Sequence, residues 1–313
     1  MTSPLDCRTN DANEQYSDGR NKGNSEEQRV TTDRFSVSGQ TAIITGASSG
    51  IGKVIAERFA ADGANVAICS RSQEDVQSVA DAINDRAENG TRGDSSDDEG
   101  NGERGDEAAG GGRALAMECD VTDPEAVEAF VEGVVEEFGE LDCLVNNAGA
   151  SFMASFADIS ENGWETIVDI NLHGTYRCTR TAGPYLRESA EGSGGTVINV
   201  ASVAGQAGSP YMSHYGAAKA GIINFTTTLG YEWADDGVRV NCIAPGFVAT
   251  PGVESQMGVS AGEIDREKVA RRIGMSEEIA DIAQFLASPA SSYVVGETIT
   301  AQGVPRVEES PDL

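Results

Sequence analysis

Lysine is nearly absent. The chain has four, Lys22, Lys53, Lys219 and Lys268, and its 22 basic residues face 51 acidic ones, giving a formal net charge of −29 over 313 residues. Such a chain repels nucleic acid and anionic membrane surfaces, so neither is expected as a partner. Histidine is scarcer still: His173 and His214 are the only two, which excludes a histidine-rich metal site, and no metal is expected. The six cysteines (Cys7, Cys69, Cys119, Cys143, Cys178, Cys242) include no C-x-x-C and no tight pair. Several lie inside apolar runs, where a reduced thiol serves as a small hydrophobe. No apolar run approaches the roughly 18 residues of a membrane span, and the opening "MTSPLDCRTN" lacks a signal peptide's apolar stretch. A soluble, cytoplasmic protein is expected.

Three segments lack apolar residues almost entirely. Residues 1 to about 35 are polar and aperiodic and predict a disordered tail. The run "NDRAENGTRGDSSDDEGNGERGDEAAGGG" (84–112) predicts a flexible insertion in a surface loop, and residues 306–313 a loose end. What remains, 36–305, predicts one domain. Acidic residues are dense there too, at "EAVEAFVEGVVEEFGELD" and "EIDREKVARRIGMSEEIAD", both read as folded helices. That distribution, with arginine replacing lysine, points to a folded protein working in concentrated salt.

Short β-branched runs alternate with helical patterns through this domain. "TAIITG" (41–46), "ANVAIC" (64–69), "RALAMECD" (113–120), "LDCLVNNAG" (141–149), "GTVINVAS" (195–202), "VRVNCIAPG" (238–246) and "GETITAQG" (296–303) are apolar on both faces. Such runs suit parallel strands covered by helices. "KVIAERFAADG" reads as a helix closed by Gly63; another starts with Asp123 as cap and Pro124 in its first turn. The pattern predicts an α/β fold: one Rossmann-type, doubly wound, parallel seven-stranded sheet in a single domain.

The first strand runs into "TGASSGIGKVIAERFA", with Gly46, Gly50 and Gly52 on a strand-to-helix turn. Glycines there permit positive φ and close backbone approach, and the helix start offers free N–H groups to a pyrophosphate. Further on, "SHYGAAKAG" (213–221) sets Tyr215 and Lys219 four apart, on one face of a helix. A phenol titrates near pH 10, too high for ready proton exchange at neutral pH, and a nearby ammonium favours the phenolate. His214 diverges from Tyr215 by about 100° around a helix, so it reads as a flank or pocket-wall residue.

The spacing T-G-x-x-x-G-x-G, with Thr45 first, resembles the short-chain dehydrogenase/reductase superfamily. The resemblance runs from about residue 38 to 304: "NNAG" (146–149), Asn171 in "DINLHGT", Ser202 closing the fifth strand, Y-x-x-x-K at Tyr215 and Lys219, and Pro245, Gly246 and Thr250 in P-G-x-x-x-T. It looks most like the 3-oxoacyl thioester reductase and carbonyl-reductase branch. The resemblance implies Asn171, Ser202, Tyr215 and Lys219 as catalytic residues, with Tyr215 exchanging the proton and Lys219 also holding the nicotinamide ribose. Asn171 is implied to fix Lys219 through a water. Cofactor contacts are implied for Thr45, Gly46, Ser48, Ser49, Gly50, Ile51 and Gly52, then for Asn147, Ala148 and Gly149, and for Pro245, Gly246, Val248 and Thr250. Asp120 and Val121 match the adenine contact. Departures are Ser276, where R-x-G-x-P-E-E usually has proline, and "AQGV" in place of V-D-G-G.

Relatives using NAD carry an acid at the end of the second strand; here Ser70 takes that place and Arg71 follows. An arginine suits a 2′-phosphate, so NADP(H) is expected over NAD(H), which stays possible. The expected reaction is reduction of a small-molecule carbonyl, a 3-oxoacyl thioester or related ketone, to a secondary alcohol. The alternatives are a 2-enoyl-CoA reductase, a sugar or alcohol dehydrogenase, or a non-enzymatic dinucleotide sensor. A homotetramer or homodimer is expected. Candidate pocket walls carry Phe152, Met153, Tyr211, Phe247 and Met257.

High salt should be required for stability, because like charges repel strongly until the Debye length shrinks to about 3 Å at molar ionic strength. A chain shortened by residues 1–33 and 86–111 should melt at a higher temperature in molar salt than at about 0.1 M. Equal melting temperatures would remove the high-salt reading.

Overall fold

The computed structural model describes residues 32–90, 111–189, 194–258, 262, 264–270 and 272–304. The expected tail up to residue 31, residues 91–110 of the expected insertion, and the end from 305 lie outside the described residues. Described residues from 33 onward belong to one compact unit.

The seven apolar runs form one sheet. Strands β1 (Thr41–Thr45), β2 (Asn65–Ser70), β3 (Ala114–Glu118), β4 (Cys143–Asn146), β5 (Thr196–Val200), β6 (Arg239–Pro245) and β9 (Thr298–Ala301) pair in parallel in the order 3-2-1-4-5-6-9. Two-residue strands β7 (Val248–Ala249) and β8 (Gly274–Met275) pair separately. Successive side chains of a strand point to opposite faces, which is why both parities are apolar. Ile44, Val66, Ile68, Ile198 and Ile243 join one core with helices α1 (Gly50–Ala61), α2 (Gln73–Gly90) and α8 (Ser276–Ala287). Ile43, Ala67, Leu144, Val197 and Val240 join the other with α3 (Pro124–Phe138), α5 (Gly174–Glu188) and α6 (Ser213–Glu232).

Local signals set the helix ends. Asp123 accepts from the Glu125 and Ala126 N–H groups, as its place before Pro124 predicts. Ser276, the departure from proline, is the first residue of α8, where Glu278 accepts from the Met275 N–H and is held by Arg272. The described cysteines (Cys69, Cys119, Cys143, Cys178 and Cys242) are buried free thiols. A polar ladder crosses the second core: Asn146 Nδ2 donates to Thr179 and Asn199, and Asn199 Nδ2 donates to Thr226 at 2.9 Å. It ties β4 and β5 to α5 and α6.

Two expected boundaries move. Helix α2 continues through residues 84–90, into the stretch read as an insertion. The cause is Asn84, whose amide donates to Ala114 O at 3.0 Å and accepts from Ala114 N at 2.8 Å, zipping the helix to edge strand β3. The chain then returns at Gly112, whose N–H donates to Ala60 O; a Cβ there would stand 1.8 Å from Ala64 O. At the other end, Thr32–Phe35 forms a 3-10 turn rather than tail, because Phe35 packs its ring against Phe285 at 6.2 Å and Arg34 donates to Pro289 O.

Asn84→Ala should therefore destabilise the fold by on the order of 1–2 kcal/mol, since both Ala114 backbone groups lose their partner. Urea unfolding of the variant against wild type measures it. No change would mean that water replaces the amide at this edge.

Candidate active site

Strand order reverses between β1 and β4, each of which sends its loop a different way, and ligands of such sheets bind where that happens. A cleft of about 560 Å³ lies there. Its wall takes Gly46, Ser48, Ser49, Gly50 and Ile51 from the first loop, Ser70 and Arg71 from the second, and Asp120 and Val121 from the third. Asn147, Ala148 and Gly149 follow from the fourth, Ser202 from the fifth, Tyr215 and Lys219 from α6, and Pro245, Gly246, Val248 and Thr250 from the sixth. Thr45, Gly52 and Asn171 stand behind the wall. Cys119, Ile170, Val200 and Ala201 line it too. Sequence reasoning missed these four, which read as ordinary core.

The first loop is shaped for close approach. Gly46 has φ +66, and a Cβ there would lie 2.7 Å from Ala148 Cα. Beneath it the Thr45 hydroxyl donates to Val145 O and accepts from the Asn147 and Ala148 N–H groups. Asn147 Nδ2 returns two bonds, to Thr45 O and Gly46 O, each 3.0 Å. A Cβ on Gly52 would stand 2.4 Å from that same amide nitrogen. Ser49, at the N-cap of α1, makes no side-chain cap bond. The first-turn N–H groups of a helix lack intrahelical partners, so this terminus keeps them for an anion. These features fit a dinucleotide pyrophosphate.

At the end of the cleft beyond β2 and β3, Ser70 Oγ donates to Ser72 O, and Asp120 Oδ1 accepts from both Thr122 N and Thr122 Oγ1. Arg71 is exposed and has no ion-pair partner among the described residues.

At the other end the Ser202 hydroxyl lies beside the Tyr215 phenol and accepts from Ala204 N at 3.2 Å. Lys219, 3% exposed, donates to Val200 O at 2.8 Å and holds its Nζ 5.5 Å from the centre of the Tyr215 ring. Burial pushes the ammonium down to about 8, against a small opposing pull from Cys242. Burial also pushes the phenol above its ordinary value, and the Ser202 hydroxyl offsets only part of that.

Asn171 lies in a π-helical turn, Asp169–His173, that joins α4 (Glu161–Val168) to α5. Its Nδ2 donates to Ala150 O and Ile167 O, both at 2.8 Å, while Oδ1 is buried without a partner. That oxygen and the Lys219 Nζ converge on Gly149: a Cβ there would stand 2.8 Å from the first and 3.5 Å from the second. His214 is not part of the wall. It is fully buried, neither ring nitrogen has a partner, and Phe152 meets it edge-on at 4.2 Å. Burial lowers its pKa.

Comparison with known proteins agrees with this geometry. A family model described as short chain dehydrogenase matches residues 40–103, and one described as Enoyl-(Acyl carrier protein) reductase matches 96–303. The chain is 37% identical over 269 residues to the short-chain reductase protein NovJ of Streptomyces niveus, covering 84% of this chain and 92% of that one. It is 35% identical to the 3-oxoacyl-[acyl-carrier-protein] reductase FabG of Thermotoga maritima, covering 85% and 97%. A crystal structure of a short-chain type dehydrogenase/reductase from Mycobacterium marinum matches with a TM-score of 0.72 at 32% identity, covering 87% of this chain and 97% of that one. The chain is thus an oxidoreductase of the short-chain dehydrogenase/reductase family.

Proposed function

We propose that the protein is an NADP(H)-dependent reductase that turns a ketone or 3-oxoacyl thioester into a secondary alcohol. The observation that carries this is the convergence of Ser202, Tyr215 and Lys219 in one cleft with the glycine-rich loop. The nicotinamide, when bound, supplies the hydride in this direction and takes it in the reverse. Ser202 holds the substrate oxygen by a hydrogen bond, and Tyr215 gives that oxygen its proton. Lys219 is fixed by Val200 O and adds positive potential beneath the phenol. Gly46, Ser49, Gly50 and the α1 N-terminus hold the pyrophosphate, and Arg71, with no acid to pair with, takes the 2′-phosphate. FabG relatives named for 3-oxoacyl substrates support the carbonyl chemistry. The matching family model named for an enoyl reductase supports alkene reduction as the second reading. The presence of Ser202 beside Tyr215 in the cleft favours the first, because the two hydroxyls can serve one carbonyl oxygen.

Tyr215→Phe should lower kcat by about 10²-fold or more, the range of a lost general acid, while fluorescence titration shows NADPH still bound. Retention of most of kcat would overturn the assignment. Arg71→Ala should raise the KM for NADPH by about tenfold or more, the loss of one charge-assisted bond, and leave that for NADH nearly unchanged. A wild-type preference for NADH would show that the second loop is misread.

A further inference from the structure

We infer that the substrate is a free, uncharged ketone bearing an aromatic ring next to its carbonyl, recognised at the mouth by Phe152, Tyr211 and Phe247. The inference rests on the carbonyl-reductase reading above and adds the substrate's class.

Three separate loops, following β4, β5 and β6, each carry a large exposed ring close in sequence to residues of the cleft. Phe152 follows the wall residue Ser151 and is 40% exposed; Phe247 sits between wall residues Gly246 and Val248 and is 57% exposed. Tyr211 stands four residues before Tyr215, is 60% exposed, and is tied to the Phe152 loop by the Ala154 N–H donating to Tyr211 O at 3.0 Å. Tyr211 is the one non-glycine described residue with positive φ, +66. Bulky side chains avoid that conformation, and such strain collects at ligand clamps. Large rings left exposed on the loops that border a cleft are available to a ligand there, and ring faces and edges favour a flat aromatic partner. Behind Phe152 the buried His214 fixes the ring's tilt through its edge contact.

Charge narrows the class further. Residues 147–165, 202–217 and 246–258, which build the mouth, contain Asp158, Glu161, Glu165 and Glu254 and no lysine or arginine. Farther along, residues 263–272 set Glu263, Asp265 and Glu267 against Arg266, Lys268, Arg271 and Arg272, and Asp281 and Glu278 engage Arg266 and Arg272. Coenzyme A and a phosphopantetheine arm both carry phosphates, which this rim repels. A neutral substrate meets no such barrier.

The test compares ethyl benzoylacetate, ethyl acetoacetate, ethyl 3-oxodecanoate and acetoacetyl-CoA with NADPH and the full chain. Benzoylacetate should exceed acetoacetate and 3-oxodecanoate in kcat/KM by about tenfold or more, the size of one apolar subsite contact. Acetoacetyl-CoA should fall below ethyl acetoacetate and gain on it as salt rises. Phe152→Ala and Phe247→Ala should each cut the benzoylacetate-to-acetoacetate ratio by about tenfold, chiefly through KM. Equal use of the aryl and methyl esters, or preference for the decanoate or the CoA thioester, would overturn the inference and leave the carbonyl-reductase reading standing. Turnover of none by a folded, NADPH-binding protein would overturn both.

Discussion

The cleft depends on one buried hydroxyl. Where β1 and β4 part, neither ladder continues, and the two outgoing loops have no strand partner to set their separation. Thr45 Oγ1 replaces the ladder by taking two amides of the β4 loop and giving its proton to Val145 O. The loops are then so close that Gly46 touches Ala148 with no room for a Cβ. Leaving two buried amides without an acceptor costs about 1–3 kcal/mol apiece, so the loops keep this spacing. This spacing sets the α1 terminus on one side against Gly149 and the Asn171 amide on the other.

The second constraint is electrostatic. In a chain with a net charge of −29, the Tyr215 end of the cleft holds a buried ammonium. Lys219 is the buried member of the described lysines, and its surroundings press it toward neutrality. The surface excess of acid works in the opposite sense at long range, favouring positive charge inside. Lys219 thus sits between a dry pocket that disfavours its proton and an acidic exterior that favours it.

Much of this was legible in the sequence because it is periodic or punctuated. Both-face apolar runs gave seven strands, Asp123-Pro124 gave a helix start, and the glycine spacing with Tyr215 and Lys219 marked the two ends of the cleft. What escaped depends on contacts between distant residues. Asn84 looks like part of a polar run until its amide meets Ala114, thirty residues on. Asn199 inside "GTVINVAS" is visible as a polar residue in an apolar strand, but its bridge from Asn146 to Thr226 belongs to the packed sheet and helices. The lysine's proximity to the tyrosine was predictable from spacing. Its hydrogen bond to Val200 was not.

The way α2 and β3 are joined has a use of its own. The helix is clamped through Asn84, and the chain re-enters at Gly112 against Ala60, beside the amino end of β2. The cleft lies past the carboxyl ends of the strands. Asn84 and Gly112 therefore stand at the opposite rim of the sheet. For a protein engineer this is a socket: a reporter domain, an affinity handle or a tether to a second enzyme could be carried there, with the clamp at each end absorbing its pull and the entrance to the cleft left clear.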